Sequence, residues 1–165
     1  MADILAIVLR YLHILFGILW IGGAAYAVFV VRVAMQRMPP PARKEVVRHL
    51  SPVAIHYIPV AAVMTIAFGA ILYLVLGGFS ANLLVGTLWG QILLTALILA
   101  SAMFAFGMIV VVGGAKRMLA HVQEESCTHA DEMAVLSRRF NRGQIVIVAL
   151  GFGIVALMVL APRIA

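Results

Sequence analysis

The sequence predicts an all-α integral membrane protein built as a bundle of four transmembrane helices. Of its 165 residues, 65 % are hydrophobic and only 11 % are charged, whereas soluble domains carry about 25 % charged residues. The apolar runs are long enough to cross a bilayer, which takes about 20 helical residues. Four such runs occupy most of the chain, so we expect a single transmembrane domain over residues 1–165.

The four spans are expected near residues 4–35, 52–76, 88–115 and 143–161. Three consecutive prolines at 39–41 end the first helix. The basic segment at 42–50 is then expected to form a short helix on the membrane surface, with its valines and leucine toward lipid. Pro52 suits the first turn of the second span. Pro59 is expected to kink that span, because proline removes a backbone hydrogen bond.

The second half of the chain predicts a long hairpin between helices three and four. Asn82 or Thr87 is expected to cap the third helix, which carries no charge from Leu88 through Ala115. We expect this helix to continue beyond the membrane and to turn at residues 124–128. The fourth helix would begin before it enters the membrane.

Charge patterning predicts the topology. The formal net charge of +6 does not indicate nucleic-acid binding, because the basic residues concentrate in two clusters beside the apolar runs. These clusters are Arg32, Arg37, Arg43, Lys44 and Arg48, and Lys116, Arg117, Arg138, Arg139 and Arg142. Cytoplasmic loops carry an excess of lysine and arginine. We therefore expect a multi-pass protein of the cytoplasmic membrane, with both termini outside and the bilayer, including its anionic lipids, as partner.

The candidate site lies in the first helix, in the segment YLHILFGILWIGG at residues 11–23. His13, Gly17 and Trp20 recur at spacings of three to four, which puts them on one helix face. Arg10 lies one turn before His13 on that face. An ionisable pair within a membrane span is costly unless it binds something. Alternatively, Arg10 reaches the headgroups and His13 bonds to a neighbouring helix.

Heme b is the cofactor that would use both ionisable groups. His13 would hold the iron and Arg10 would pair with the propionates. Gly17 would leave room for the flat macrocycle, and Trp20 would pack on its edge. The sequence does not decide the second ligand of the iron. The position is either unfilled or taken by a second subunit, Met158, Gln91 or Tyr73.

The other potential ligands are more ambiguous. His56 lies toward the opposite side of the membrane, roughly 15 to 20 Å from His13 in height, so one iron is not expected to be shared by both. It is an inner ligand, a proton relay or an interfacial histidine. Nine methionines make copper a rival to heme. A cytoplasmic group could bind zinc or copper, but its spacing matches no standard site and a solvated turn is expected: His121, Glu124, Glu125, Cys127 and His129.

The string LHILFGILWIGGA at residues 12–24 resembles the first helix of the copper-resistance-D domain membrane proteins and of the related membrane-bound protoporphyrinogen oxidases. In those proteins an LH motif precedes a WxGG or W-small-G motif by the same interval. The resemblance extends loosely through helices two and three, where TLWGQILLTALILA is similar to a stretch that begins with an aromatic-glycine pair. It implies heme b bound through His13. The oxidases usually carry a lysine in helix three, where this chain has Gln91 or Thr95.

The sequence thus predicts a small heme-b-binding bundle, as a monomer or a homodimer, with the iron held by His13. The expected function is electron transfer with a redox partner, or redox and gas chemistry at the iron. The sequence does not decide whether the protein is an oxidoreductase. Two alternatives come from other classes. One is transport of copper or another metal through His13, His56 and methionines. The other is a structural subunit of a larger membrane complex.

Overall fold

The computed structural model describes residues 2–123 and 130–164, which contain helices and no strand. Four helices are long and apolar enough to cross a membrane, so the predicted all-helical, four-span architecture is confirmed. Their candidate spans are Ile4–Gln36, Pro40–Leu76, Leu88–His121 and Val135–Ala161. Only 11 to 28 % of each apolar window is buried, so most of the apolar side chains face outward. Such a surface suits a lipid environment.

The first helix, α1, covers residues 2–36. Its α-helical parts are Ala2–Gly17, Gly23–Tyr26 and Arg32–Gln36, and π-helical turns intervene at Ile18–Gly22 and Ala27–Val31. The candidate span has 33 residues, which corresponds to about 50 Å, well over the roughly 30 Å of a hydrocarbon core. In a bilayer, α1 therefore tilts or extends beyond the apolar layer.

The second helix, α2, runs from Pro40 to Leu76 without interruption. This differs from the expected surface helix at 42–50 followed by a span from Pro52. Pro40 occupies the first turn, where its missing N–H costs no hydrogen bond. Pro52 and Pro59 lie inside the helix. Each proline removes one backbone hydrogen bond. A broken helix would leave several backbone N–H and C=O groups without partners in lipid, so the continuous helix is favoured.

A short helix, α3 (Ala81–Gly86), lies in the connection to the third long helix. The side chain of Thr87 accepts a hydrogen bond from the backbone N–H of Gly90 at 3.1 Å, which confirms the predicted cap. The hydroxyl of Tyr73 in α2 donates to the carbonyl oxygen of Leu84 at 2.5 Å. The connection is thereby tied to the end of α2.

The remaining long helices are α4, residues 88–123, and α5, Ala130–Ile164. In α4 the α-helical parts Leu88–Phe106 and Gly113–Gln123 flank a π-helical stretch, Gly107–Val112. The predicted turn at 124–128 lies outside the described residues.

The core lies where the four long helices meet. The most extensive contacts join α1 to α2 and α4 to α5. The buried cluster contains Trp20 from α1, Ala61 and Ala62 from α2, Ala96, Ala100 and Met103 from α4, and Ile154 from α5. Four of these seven residues are alanines, which allow helix backbones to approach closely. Trp20 and Met103 fill the remaining volume.

Candidate functional site

His13 lies on the side of α1 that packs against α2. Its Nδ1 donates a hydrogen bond to the carbonyl oxygen of Thr65, at 2.8 Å. Thr65 is buried, with 7 % of its surface exposed, and its hydroxyl donates to the carbonyl oxygen of Ala61 at 2.7 Å. A carbonyl can only accept, so Nδ1 carries the proton. In the neutral ring, Nε2 then holds the lone pair that a metal ligand needs.

Gly69, one helical turn beyond Thr65, packs directly against the imidazole of His13. A Cβ built on Gly69 would lie 2.7 Å from Cε1 and 2.8 Å from Nδ1 of His13. Real Cβ atoms essentially never approach another heavy atom so closely, so a larger residue would displace the ring. Sequence reasoning missed both α2 residues. Their only local signal is two small residues separated by four positions, which is common in packed membrane helices.

The Nε2 atom of His13 has no hydrogen-bond partner in the part of the chain that the structure describes. The Nε atom of Arg32 is the one buried and unpartnered side-chain nitrogen or oxygen in that part. Nε2 of His13 is therefore not sealed inside the bundle. The imidazole is held at one nitrogen and accessible at the other.

Arg10 is exposed and lies one turn before His13 on α1. It makes no hydrogen bond or ion pair with the side chains of residues 4–121 and 135–161. The neighbouring Ile14 is 53 % exposed, so this part of α1 presents an open apolar surface beside the Arg10 cation. An anionic group held near His13 would find a partner there.

Gly17, Trp20 and Met158, which the sequence suggested as further cofactor contacts, all take part in packing. A Cβ on Gly17 would lie 3.7 Å from Cγ2 of Thr65, so Gly17 faces the α1–α2 interface. Trp20 is 4 % exposed and belongs to the buried core. Met158 is partly buried and packs against the same core. The structure therefore places Thr65 and Gly69 of α2 against His13, with Gly17 beside Thr65.

His56 lies at another height of the bundle. It is exposed on α2, and its Nδ1 donates to the carbonyl oxygen of Pro52 at 2.8 Å. His13 contacts α2 at Thr65 and Gly69, which lie about 14 and 20 Å further along that helix. The two imidazoles are thus separated along the axis of α2 and do not face a common position.

The remaining candidates make local bonds. The amide of Gln91 donates to the carbonyl oxygen of Val85 at 3.0 Å. Nδ1 of His121 donates to the carbonyl oxygen of Arg117 at 2.9 Å. Cys127 and His129 lie outside the described residues, as do Glu124 and Glu125. Among the side chains that the structure describes, residues 4–121 and 135–161, no three His, Cys, Asp or Glu are grouped as a metal site.

Comparisons of the chain with protein-family models, with curated proteins and with solved structures find no significant match. The resemblance of the first helix to the copper-resistance-D and membrane-bound oxidase proteins stays a prediction. The surroundings of His13 are the feature of the structure that bears on function.

Proposed function

We propose that the protein binds heme b within the membrane and that Nε2 of His13 would hold the iron. The observation that carries this proposal is the hydrogen bond from Nδ1 to the carbonyl oxygen of Thr65. Metal-bound histidines almost always donate their second ring N–H to a carbonyl, carboxylate or water, which fixes the ring and raises its basicity. His13 has this arrangement together with an unpartnered Nε2.

Arg10 would bind a propionate, because it is exposed, has no ion pair among the described side chains and lies one turn from His13. Gly17 and Trp20 pack inside the bundle, so His13, Arg10 and exposed apolar side chains such as Ile14 are the groups of α1 that would hold the heme. Lipid or a second copy of the chain would complete the site. A bound heme supplies one-electron chemistry, and we propose electron transfer or redox and gas chemistry as the activity. Thr65 and Gly69 would orient the imidazole of His13, and Arg10 would neutralise one propionate.

The test is the absorption spectrum of the purified full-length protein, recorded before and after reduction with dithionite. We expect a Soret band that shifts on reduction. His13→Ala should remove that band. His56→Ala is the matched control, because His56 also donates Nδ1 to a backbone carbonyl, and this variant should keep it.

Three results would contradict the proposal: no heme in the wild type, equal heme in His13→Ala and the wild type, or heme lost only from His56→Ala. Metal analysis of the same samples addresses the main alternative. Copper bound without a Soret band would favour metal transport. Neither copper nor heme would favour a structural subunit.

A further inference from the structure

A cavity of about 480 Å³ lies between the four long helices, on the other side of Trp20 from His13. Its lining runs from Trp20 to Gln36 on α1 and from Arg43 to Ala62 on α2, with further residues from α4 and α5. His13 does not line it. Small-molecule sites typically occupy about 300 to 1,000 Å³. The cavity is therefore large enough to hold a ligand and separate from the candidate heme site.

Two guanidinium groups line one end of this cavity. Nε of Arg43 donates to the carbonyl oxygen of Met38 at 2.8 Å, so this atom has a partner. Nε of Arg32 is buried and has no partner among the described residues. Burying a donor nitrogen without a partner is costly. No aspartate or glutamate is found among the described lining residues, so these residues supply no anion to Arg32.

The rest of the lining is mainly apolar and the mouth faces outward. Val53, Tyr26 and Tyr57 line the cavity and are 63 %, 60 % and 45 % exposed. Tyr26 lies on α1 and the other two on α2. The cavity therefore opens between these helices onto the apolar outer surface, where a lipid molecule can enter. A soluble anion would not approach from that side.

Charge and shape together define the occupant. Arg32 and Trp20 are about 18 Å apart along α1, with a charged group at one end and apolar side chains toward the other. We propose that the cavity binds an anionic phospholipid, with its phosphate at Arg32 and one acyl chain extending toward Trp20. An anionic headgroup is favoured over a zwitterionic one, because no described lining carboxylate could pair with an ammonium group.

The wild-type protein tests the choice of ligand. The purified full-length chain is titrated in detergent with dioleoyl phosphatidylglycerol, dioleoyl phosphatidylcholine or oleate, and bound lipid is counted by native mass spectrometry. We expect phosphatidylglycerol to bind about tenfold more tightly than phosphatidylcholine, as a charge-assisted hydrogen bond would give. Equal binding of the two phospholipids would overturn the proposal. Oleate binding as tightly as phosphatidylglycerol would identify a fatty-acid site instead.

Two variants test the position of the ligand. Arg32→Gln should lose the preference for phosphatidylglycerol. Arg37→Gln is the matched control, because Arg37 is exposed at the same end of the bundle and does not line the cavity. Ala27→Phe fills the cavity without changing its charge, and it should reduce lipid binding at unchanged elution on size exclusion. Wild-type preference in Arg32→Gln or full binding in Ala27→Phe would refute the assignment.

Discussion

The imidazole of His13 occupies the space that a side chain at Gly69 would need, with Cε1 2.7 Å from the position of the missing Cβ. Gly69→Ala should therefore push the ring away and lengthen the 2.8 Å bond from Nδ1 to Thr65. Overpacking of this kind costs about 1 to 3 kcal/mol. We expect a lower thermal unfolding temperature in detergent and weaker heme retention, measured by the Soret absorbance per protein.

Gly22→Ala is the control for this substitution. Gly22 lies on α1, and a Cβ added there would meet nothing within 4 Å. In a helix, alanine in place of glycine is neutral or stabilising by up to about 1 kcal/mol. Equal unfolding temperatures and equal Soret absorbance in the two variants would show that Gly69 does not position the histidine.

Arg10→Gln should weaken heme binding without abolishing it, because the iron ligand remains in place. Exposed ion pairs contribute about 0.2 to 1 kcal/mol, which corresponds to an affinity loss of about 1.4- to fivefold. The measurement is a titration of heme-free protein with hemin, followed at the Soret band. Lys116→Gln, at an exposed position outside the site, should bind like the wild type. An unchanged affinity in Arg10→Gln would remove the propionate contact from the proposal.

Tyr73→Phe should loosen the connection between α2 and α4. The hydroxyl of Tyr73 donates to the carbonyl oxygens of Leu84, at 2.5 Å, and Gly90, at 3.3 Å. Losing a hydrogen bond of this type costs about 0.5 to 1.5 kcal/mol. Hydrogen exchange at residues 81–90 should become faster, and the unfolding temperature should fall. Tyr11→Phe should change neither, because Tyr11 is 63 % exposed and donates no described bond.

The parts of the fold that could be predicted are those that composition or a local rule decides. An apolar run of sufficient length must form a helix in lipid, because only a helix lets a single segment pair all its backbone N–H and C=O groups with one another. The four spans follow from this constraint. The cap at Thr87 follows from the preference of threonine for that position. The continuity of α2 through Pro52 did not follow, since the local rule for proline competes with the cost of a broken helix in lipid.

The contacts of His13 with α2 could not be predicted, because they depend on how α1 and α2 align. Thr65 is 52 positions from His13 in the sequence, and no periodicity links the two helices. The histidine and arginine were recognised because ionisable groups in a span are rare. Trp20 faces α2 as His13 does, and its side chain is buried in the core. Spacing alone predicts the shared face and not whether a residue there also contacts a cofactor, so that role of Trp20 stays a prediction.

The orientation of the bundle can be tested with Cys127, which is the only cysteine of the chain. Both basic clusters flank inner loops in the proposed topology, so Cys127 should face the cytoplasm. A membrane-impermeant maleimide added to intact cells should leave it unlabelled and should label it after permeabilisation. Asn82→Cys in a Cys127→Ala background is the matched reporter, because Asn82 is exposed on α3, in the connection between the second and third spans that the predicted topology places outside. That cysteine should react in intact cells, and the reverse pattern would invert the topology and move the basic ends outside.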